Sequence, residues 1–131
     1  MSHPLVADGF NASEAFVLID AGFKAFPEAE MKAMINKVKG IFQFDVKNKE
    51  GKVQSWTVDA KKDKGEVTKG ASKAKPDVII STSDDIMVGL ADGKLNAQKA
   101  FMQGKIKLKG QMLLATKLDN VLKQARVKAG L

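Results

Sequence analysis

A chain of 131 residues with a net charge of +7 is long enough for one domain with its own hydrophobic core. It contains no cysteine, which excludes disulfides, thiol nucleophiles and cysteine-ligated zinc. Its one histidine is His3, near a chain end, so no catalytic residues, no metal site and no cofactor are expected.

The positive charge is concentrated in the last third of the sequence. Residues 1–92 are close to neutral, whereas residues 93–131 carry eight lysines and Arg126 against Asp119 alone. Such a basic segment favours anionic partners, namely phosphates, acidic lipid surfaces, carboxylates or nucleic acid. Neither a signal peptide nor an apolar stretch of membrane-spanning length is recognisable, so we expect a soluble intracellular protein.

The first 40 residues have the apolar spacing of two helices. A run of large apolar residues within 11–22 predicts a buried helix with Asn11 as its N-cap. Pro27 is expected to open a second helix and Gly40 to end it. The apolar face of this second helix has residues at offsets of three and four, namely Met31, Met34, Ile35 and Val38.

The pattern then changes to strands. Apolar and polar residues alternate in 41–47 and 55–60, which predicts two half-buried strands joined by the tight turn NKEG. A second tight turn, DKG at 63–65, leads to short strands at about 65–69 and 77–82. Because tight turns join successive strands, these strands are expected to run antiparallel.

The second half begins with a helix signal at Ser83, a hydroxyl followed by two acids at the positive end of the helix dipole. Neighbouring carboxylates on a helix point in different directions, so Asp84 and Asp85 favour capping over acid–base chemistry. Asn96 is expected to cap a short helix, AQKAFMQ, which precedes a strand, KIKLK, and a final helix at 111–127. Each strand has one apolar face, so the sequence predicts a two-layer α+β fold in a single domain over residues 1–131.

Lysines and large apolar residues alternate in the segment GKLNAQKAFMQGKIKLKGQM, residues 93–112. Three interpretations are open: a nucleic-acid surface, a lipid site with a basic rim, or an ordinary strand between two helices. Nucleic acid is disfavoured, because the chain has one arginine and no tyrosine, while Trp56 and the phenylalanines are expected in the core. Five methionines are expected to face inward, either as core or as the lining of an adaptable cavity: Met31, Met34, Met87, Met102 and Met112.

The segments KGIFQFDVK, SWTVDAKKDKGEV and DVIISTSDDIMVGLADGKLNAQKAFMQGKIKLKGQMLLATKL resemble the sterol carrier protein-2 family of nonspecific lipid-transfer proteins. The resemblance covers about residues 14–120. It implies a five-stranded, mostly antiparallel sheet covered on one face by about five helices that enclose an apolar tunnel. It also implies a protein that is not an enzyme and that binds and transfers long-chain fatty acids, fatty acyl-CoA and other lipids, including phospholipids or sterols.

By the same resemblance, the lipids would serve peroxisomal fatty-acid β-oxidation. The alternative is an interaction module that presents lipid substrates to β-oxidation enzymes without free transfer activity. The chain ends Ala129-Gly130-Leu131, a degenerate form of the SKL-type signal, so we expect a peroxisomal protein and otherwise a cytoplasmic one.

The resemblance also implies that Gln98 and Thr116 contact bound ligand, although some relatives have glutamine where Thr116 stands. The expected tunnel wall consists of apolar residues near these two: Phe101, Met102, Ile106, Leu108, Met112, Leu113 and Leu118. Five lysines are expected to attract anionic membrane surfaces transiently: Lys94, Lys99, Lys105, Lys107 and Lys109.

Overall fold

The computed structural model describes residues 4–61 and 65–130, which fold into a layer of helices over one sheet. The five strands within these residues are Gly40–Lys47 (β1), Val53–Ala60 (β2), Glu66–Lys69 (β3), Val78–Ser83 (β4) and Lys107–Gly110 (β5). The five helices are Ala12–Ala25 (α1), Glu28–Val38 (α2), Asp84–Asp92 (α3), Ala97–Met102 (α4) and Leu113–Lys128 (α5). This confirms the predicted α+β class, while the DKG turn lies partly outside the described residues.

The sheet has the strand order β3-β2-β1-β4-β5. The pairs β1–β2, β2–β3 and β4–β5 are antiparallel, whereas β1 and β4 run parallel in the centre. The parallel pair arises because the chain leaves β3 at one edge and returns on the far side of β1, where a tight turn is not available. The prediction of a mostly antiparallel sheet is therefore confirmed.

The inner face of the sheet is made by every second residue of the strands, as the alternation predicts. Phe44 pairs with Trp56 on one side and with Ile80 on the other, and all three are fully buried. The ring of Phe16 from α1 stacks on Trp56 with centroids 4.5 Å apart, and the Trp56 indole N–H donates to Leu5 O at 2.8 Å. Trp56 is thus a core residue, as expected.

The N-terminus of α1 is capped differently from the prediction. Asn11 has helical dihedral angles and makes no capping hydrogen bond with its side chain. Instead, the buried carboxylate of Asp84 accepts from the backbone N–H groups of Asn11 at 2.9 Å and Ala12 at 2.6 Å. A charged acceptor held by a neighbouring element satisfies these free donors more strongly than the amide of Asn11 would.

The end of α2 also differs by one residue. Lys39, rather than Gly40, takes the left-handed conformation, with φ of 47°. Gly40 begins β1, where an added Cβ would lie 3.0 Å from both methyl groups of Leu114 on α5. Gly40 thus lies in close contact with α5 rather than ending the helix.

The remaining helix signals are confirmed. The Ser83 hydroxyl accepts from Ile86 N at 3.3 Å at the start of α3, and Gly93 ends that helix with φ of 87°. The inward side of α5 is apolar, and its buried residues include Leu114, Leu118, Val121, Leu122 and Ala125. Within the described residues, no helix has the length and apolar character needed to cross a membrane.

Candidate functional site

The residues predicted to bind ligand lie on α4, on β5, on the first turns of α5 and, for Ile106 and Met112, immediately before β5 and α5. Two side chains position the short helix α4. Asn96 caps it, since its Oδ1 accepts from Lys99 N at 3.0 Å. Asp119 of α5 accepts from Ala97 N at 2.7 Å and from Gln98 N at 3.4 Å, so α4 is fixed against the second turn of α5.

This arrangement brings Gln98 and Thr116 to the same contact between α4 and α5. Asp119 meets the backbone N–H of Gln98, and Thr116 lies three residues before Asp119, hence on the same side of α5. Both side chains are exposed. They are free to meet a polar ligand group at this position, and their role in binding stays a prediction.

Three of the seven predicted wall residues face the interior. Ile106 and Leu118 are buried, and Leu108 is half-buried against the core. Leu108 pairs with Ile80 across the β4–β5 ladder, so its side chain lies on the inner face of the sheet. These three residues belong to the layer between sheet and helices where an acyl chain was expected.

The other four predicted wall residues are at the surface. The exposed fractions are 39% for Phe101, 77% for Met102, 49% for Met112 and 80% for Leu113. The expectation that all five methionines face inward is therefore wrong for Met102 and Met112, while Met31, Met34 and Met87 are buried as predicted. Lining of a ligand cavity by these four residues stays a prediction.

These four residues are exposed because other side chains of α4 and α5 pack inward. The short helix α4 buries only Ala97 and Ala100, two small residues that allow close approach to α5 and leave Phe101 and Met102 on the outside. At the start of α5, Leu114 takes the inward position and lies over Gly40. Met112 and Leu113, immediately before it, consequently point outward.

The predicted basic residues lie on the same segment of the chain as these apolar side chains. Lys107 and Lys109 pair with Ser81 and Ile79, so they project from the outer face of the sheet, opposite to Leu108. Lys94 has Asp92 at 4.0 Å. Within the described residues, no acid lies in ion-pair distance of the four others: Lys99, Lys105, Lys107 and Lys109.

A second apolar feature, at the opposite edge of the sheet, was not predicted. A groove with a cavity volume of about 440 Å³ opens between the end of α1, the start of α2 and β3. Its apolar lining is Phe23, Phe26 and Met31, which are continuous with the hydrophobic core. Its size lies in the range typical of small-molecule sites. The sequence signal for this groove was the pair Phe23 and Phe26, which lie just before the break between α1 and α2 at Pro27.

The inner face of the sheet between these two edges is filled with side chains. Phe42, Phe44 and Trp56 are fully buried. Among the residues of known placement, no cluster of three or more acidic or histidine side chains is suited to hold a metal ion. The predicted site offers apolar surface, two exposed polar side chains and lysines.

The sequence is similar to known proteins along most of its length. The sequence model of the SCP-2 sterol transfer family matches residues 20–123. The chain is 41% identical over 125 residues to "Fatty acid-binding protein" of Yarrowia lipolytica, covering 93% of this chain and 96% of the relative. It is 39% identical over 117 residues to "Oleate-induced peroxisomal protein POX18" of Candida maltosa, covering 89% and 91%.

A solved structure agrees with the fold. The apo form of Sterol Carrier Protein 2 from Yarrowia lipolytica superposes with a TM-score of 0.83 at 40% identity, covering 95% of this chain and 98% of that one. The sheet and the covering helices implied by the sequence resemblance are thereby confirmed, and the apolar tunnel stays a prediction.

Proposed function

Because the chain belongs to the SCP-2 sterol transfer family, we propose that it binds long-chain fatty acids and fatty acyl-CoA and transfers them between membranes. One observation carries this proposal. The match to a relative named as a fatty acid-binding protein covers nearly the whole of both chains. A chain that matches a whole fatty acid-binding relative is expected to hold a comparable ligand. No covalent step is part of the proposed function.

The acyl chain is proposed to lie between the sheet and the helices. Ile106, Leu108 and Leu118 provide apolar wall at one edge of this layer, and the groove at Phe23 and Met31 opens it at the other. Burial of an acyl chain contributes about 0.8 kcal/mol per methylene group. Since apolar contacts have little directionality, we expect several lipids to be accepted, phospholipids or sterols among them.

Gln98 and Thr116 are proposed to bind the polar end of the lipid. Both are exposed at the contact between α4 and α5, and each offers a hydrogen-bond donor. The five lysines, Lys94, Lys99, Lys105, Lys107 and Lys109, are proposed to attract anionic membrane surfaces.

The place of action is proposed to be the peroxisome, in support of fatty-acid β-oxidation. A relative of nearly the same length is named as an oleate-induced peroxisomal protein, which supports this proposal. The terminal Leu131 of the degenerate signal lies outside the described residues.

The test is transfer of a fluorescent fatty acid from donor to acceptor vesicles. We expect the transfer rate to rise in proportion to protein concentration. Gln98→Ala should slow it and weaken ligand binding about tenfold, while Gln103→Ala, an exposed glutamine on the same segment, should not. Binding without any acceleration of transfer would instead favour a module that presents lipid to β-oxidation enzymes.

A further inference from the structure

Large apolar side chains at the surface are concentrated around α4 and β5. Six such residues are exposed within the described residues, and four of them fall within positions 101–113. These four, Phe101, Met102, Met112 and Leu113, are called the β5 apolar patch below. Isolated exposed apolar residues are normal, but a group within one segment is typical of a surface that meets another apolar phase.

The four side chains lie on one part of the molecule. Asp119 fixes the start of α4 against α5 at 2.7 Å. At about 1.5 Å per residue, Leu113 lies about 9 Å along α5 from Asp119, and Phe101 lies about 6 Å along α4 from Ala97. The four-residue strand β5 joins the two helices, and it is an edge strand with one side unpaired. The β5 apolar patch therefore belongs to one edge of the molecule.

Lysine is the prevailing charge around the β5 apolar patch. The exposed lysines are Lys99 on α4, Lys105 in the turn that follows, Lys107 and Lys109 on β5, and Lys117 on α5, and no described acid forms an ion pair with any of them. One acid, Asp45, lines the same shallow depression as Lys105 and Lys107. The one acid of this segment, Asp119, has its carboxylate engaged at the start of α4. Apolar side chains within a rim of unpaired lysines are complementary to an anionic bilayer, whose headgroups meet the lysines while the acyl region receives the apolar groups.

We propose that the β5 apolar patch inserts into the surface of anionic membranes, so that Phe101, Met102, Met112 and Leu113 contact bilayer lipid when the protein docks. This inference rests on the proposed function, since it names the surface through which that function meets a membrane. It differs from general attraction by lysines, because a definite set of apolar side chains enters the bilayer. It also explains why Met102 and Leu113 are left outside although large apolar residues are normally buried.

The first test uses the absence of native cysteine. Single variants Met102→Cys, Leu113→Cys and Val127→Cys are labelled with an environment-sensitive dye and mixed with vesicles of phosphatidylcholine and phosphatidylserine. Val127 is the matched control, because it is 61% exposed and lies near the opposite end of α5 from Leu113, about 21 Å along the helix. We expect a blue shift, and quenching by spin-labelled lipid, at positions 102 and 113 but not at 127. Equal responses at all three positions, or none at 102 and 113, would overturn the proposal.

The second test measures vesicle binding without added fatty acid. The double variant Met102→Ser/Leu113→Ser is compared with Val127→Ser. We expect the double variant to lose about tenfold or more in vesicle binding and Val127→Ser to bind vesicles as the wild type does. Equal vesicle binding by the two variants would overturn the proposal. The proposal would also be overturned if the wild-type protein were a dimer and the double variant a monomer, because the patch would then be an interface between two copies of the chain.

Failure of the proposed function can be distinguished from failure of the membrane-insertion proposal. If the wild-type protein binds no fatty acid and the labels at positions 102 and 113 still enter vesicles, the lipid-transfer function fails while the membrane surface stands.

Discussion

Two neighbouring acids, Asp84 and Asp85, illustrate how different the roles of adjacent residues can be. Asp84 is buried and accepts from two backbone N–H groups at the start of α1. Asp85 is exposed in the first turn of α3, where its charge is favoured by the helix dipole. Asp84 therefore links α3 to α1, whereas Asp85 stabilises α3 alone.

The exchange Asp84→Asn tests this difference. Loss of the charge weakens both hydrogen bonds, of which the one from Ala12 N is buried and 2.6 Å long, so we expect the free energy of unfolding to fall by about 2–3 kcal/mol. The matched control Asp85→Asn should cost less than about 1 kcal/mol. Urea unfolding followed by Trp56 fluorescence measures both, and equal losses in the two variants would contradict the assigned role of Asp84.

Sequence reasoning succeeded for caps that act within one turn. Ser83 and Asn96 bond to donors three residues ahead, a spacing that is visible in the sequence. Asp84 and Asp119 bond to donors 72 and 22 residues away, at Ala12 and Ala97. Those partners are set by how the helices pack, so no local pattern could reveal them.

At the scale of elements, α1 and α5 approach each other closely at Gly22. A Cβ added to Gly22 would overlap the backbone of Ala125 on α5, which has little room to move. By contrast, a Cβ added to Gly89 would meet, at 2.7 Å, the methyl end of the flexible Leu95 side chain. The α1–α5 contact thus depends on one glycine.

The exchange Gly22→Ala is expected to destabilise the protein although alanine is the better helix former by about 1 kcal/mol. Overlap with a backbone group outweighs that gain, and we expect a net loss of about 2 kcal/mol or more in the free energy of unfolding. Gly89→Ala should cost less, because Leu95 can rotate away. Thermal and urea unfolding measure the difference, and a Gly22→Ala variant as stable as wild type would disprove the close contact.

The order and type of the elements were predictable, but the inward side of α4 was not. The sequence AQKAFM offers two candidate inner faces, one with Ala97 and Ala100 and one with Phe101 and Met102. Hydrophobicity alone favours the larger residues. The structure buries the alanines because α4 packs closely on α5, and only small side chains fit between two helices at that separation.

At the scale of the whole molecule, positive charge and exposed apolar surface are found together at the β5 edge. The sequence revealed the charge, since nine of the 22 basic residues fall within 93–131 with a single acid. It did not reveal which apolar residues stay exposed, nor the groove at Phe23 and Met31, because both depend on how distant segments meet.

This distribution predicts that transfer to anionic vesicles slows as salt rises, because ions screen the attraction of exposed lysines. Each lysine near the membrane surface contributes up to about 1 kcal/mol. The triple variant Lys105→Gln/Lys107→Gln/Lys109→Gln should therefore lose about tenfold or more in vesicle binding and much of its salt dependence. Lys37→Gln/Lys49→Gln/Lys52→Gln, with the same change in net charge elsewhere, is the control.

If the two triple variants lose vesicle affinity equally, net charge rather than the β5 edge governs docking. A transfer rate to anionic vesicles that is independent of salt would contradict docking by the lysines altogether.

The most direct test of lipid binding is titration of the protein with a fluorescent long-chain fatty acid, with the emission of Trp56 followed at the same time. Trp56 is suited to this because it is fully buried on the inner face of the sheet, where the acyl chain is proposed to lie. We predict saturable one-to-one binding, a change in Trp56 emission and displacement of the probe by fatty acyl-CoA. A well-folded protein that shows no saturable binding would contradict the proposed function and leave the apolar layer as core alone.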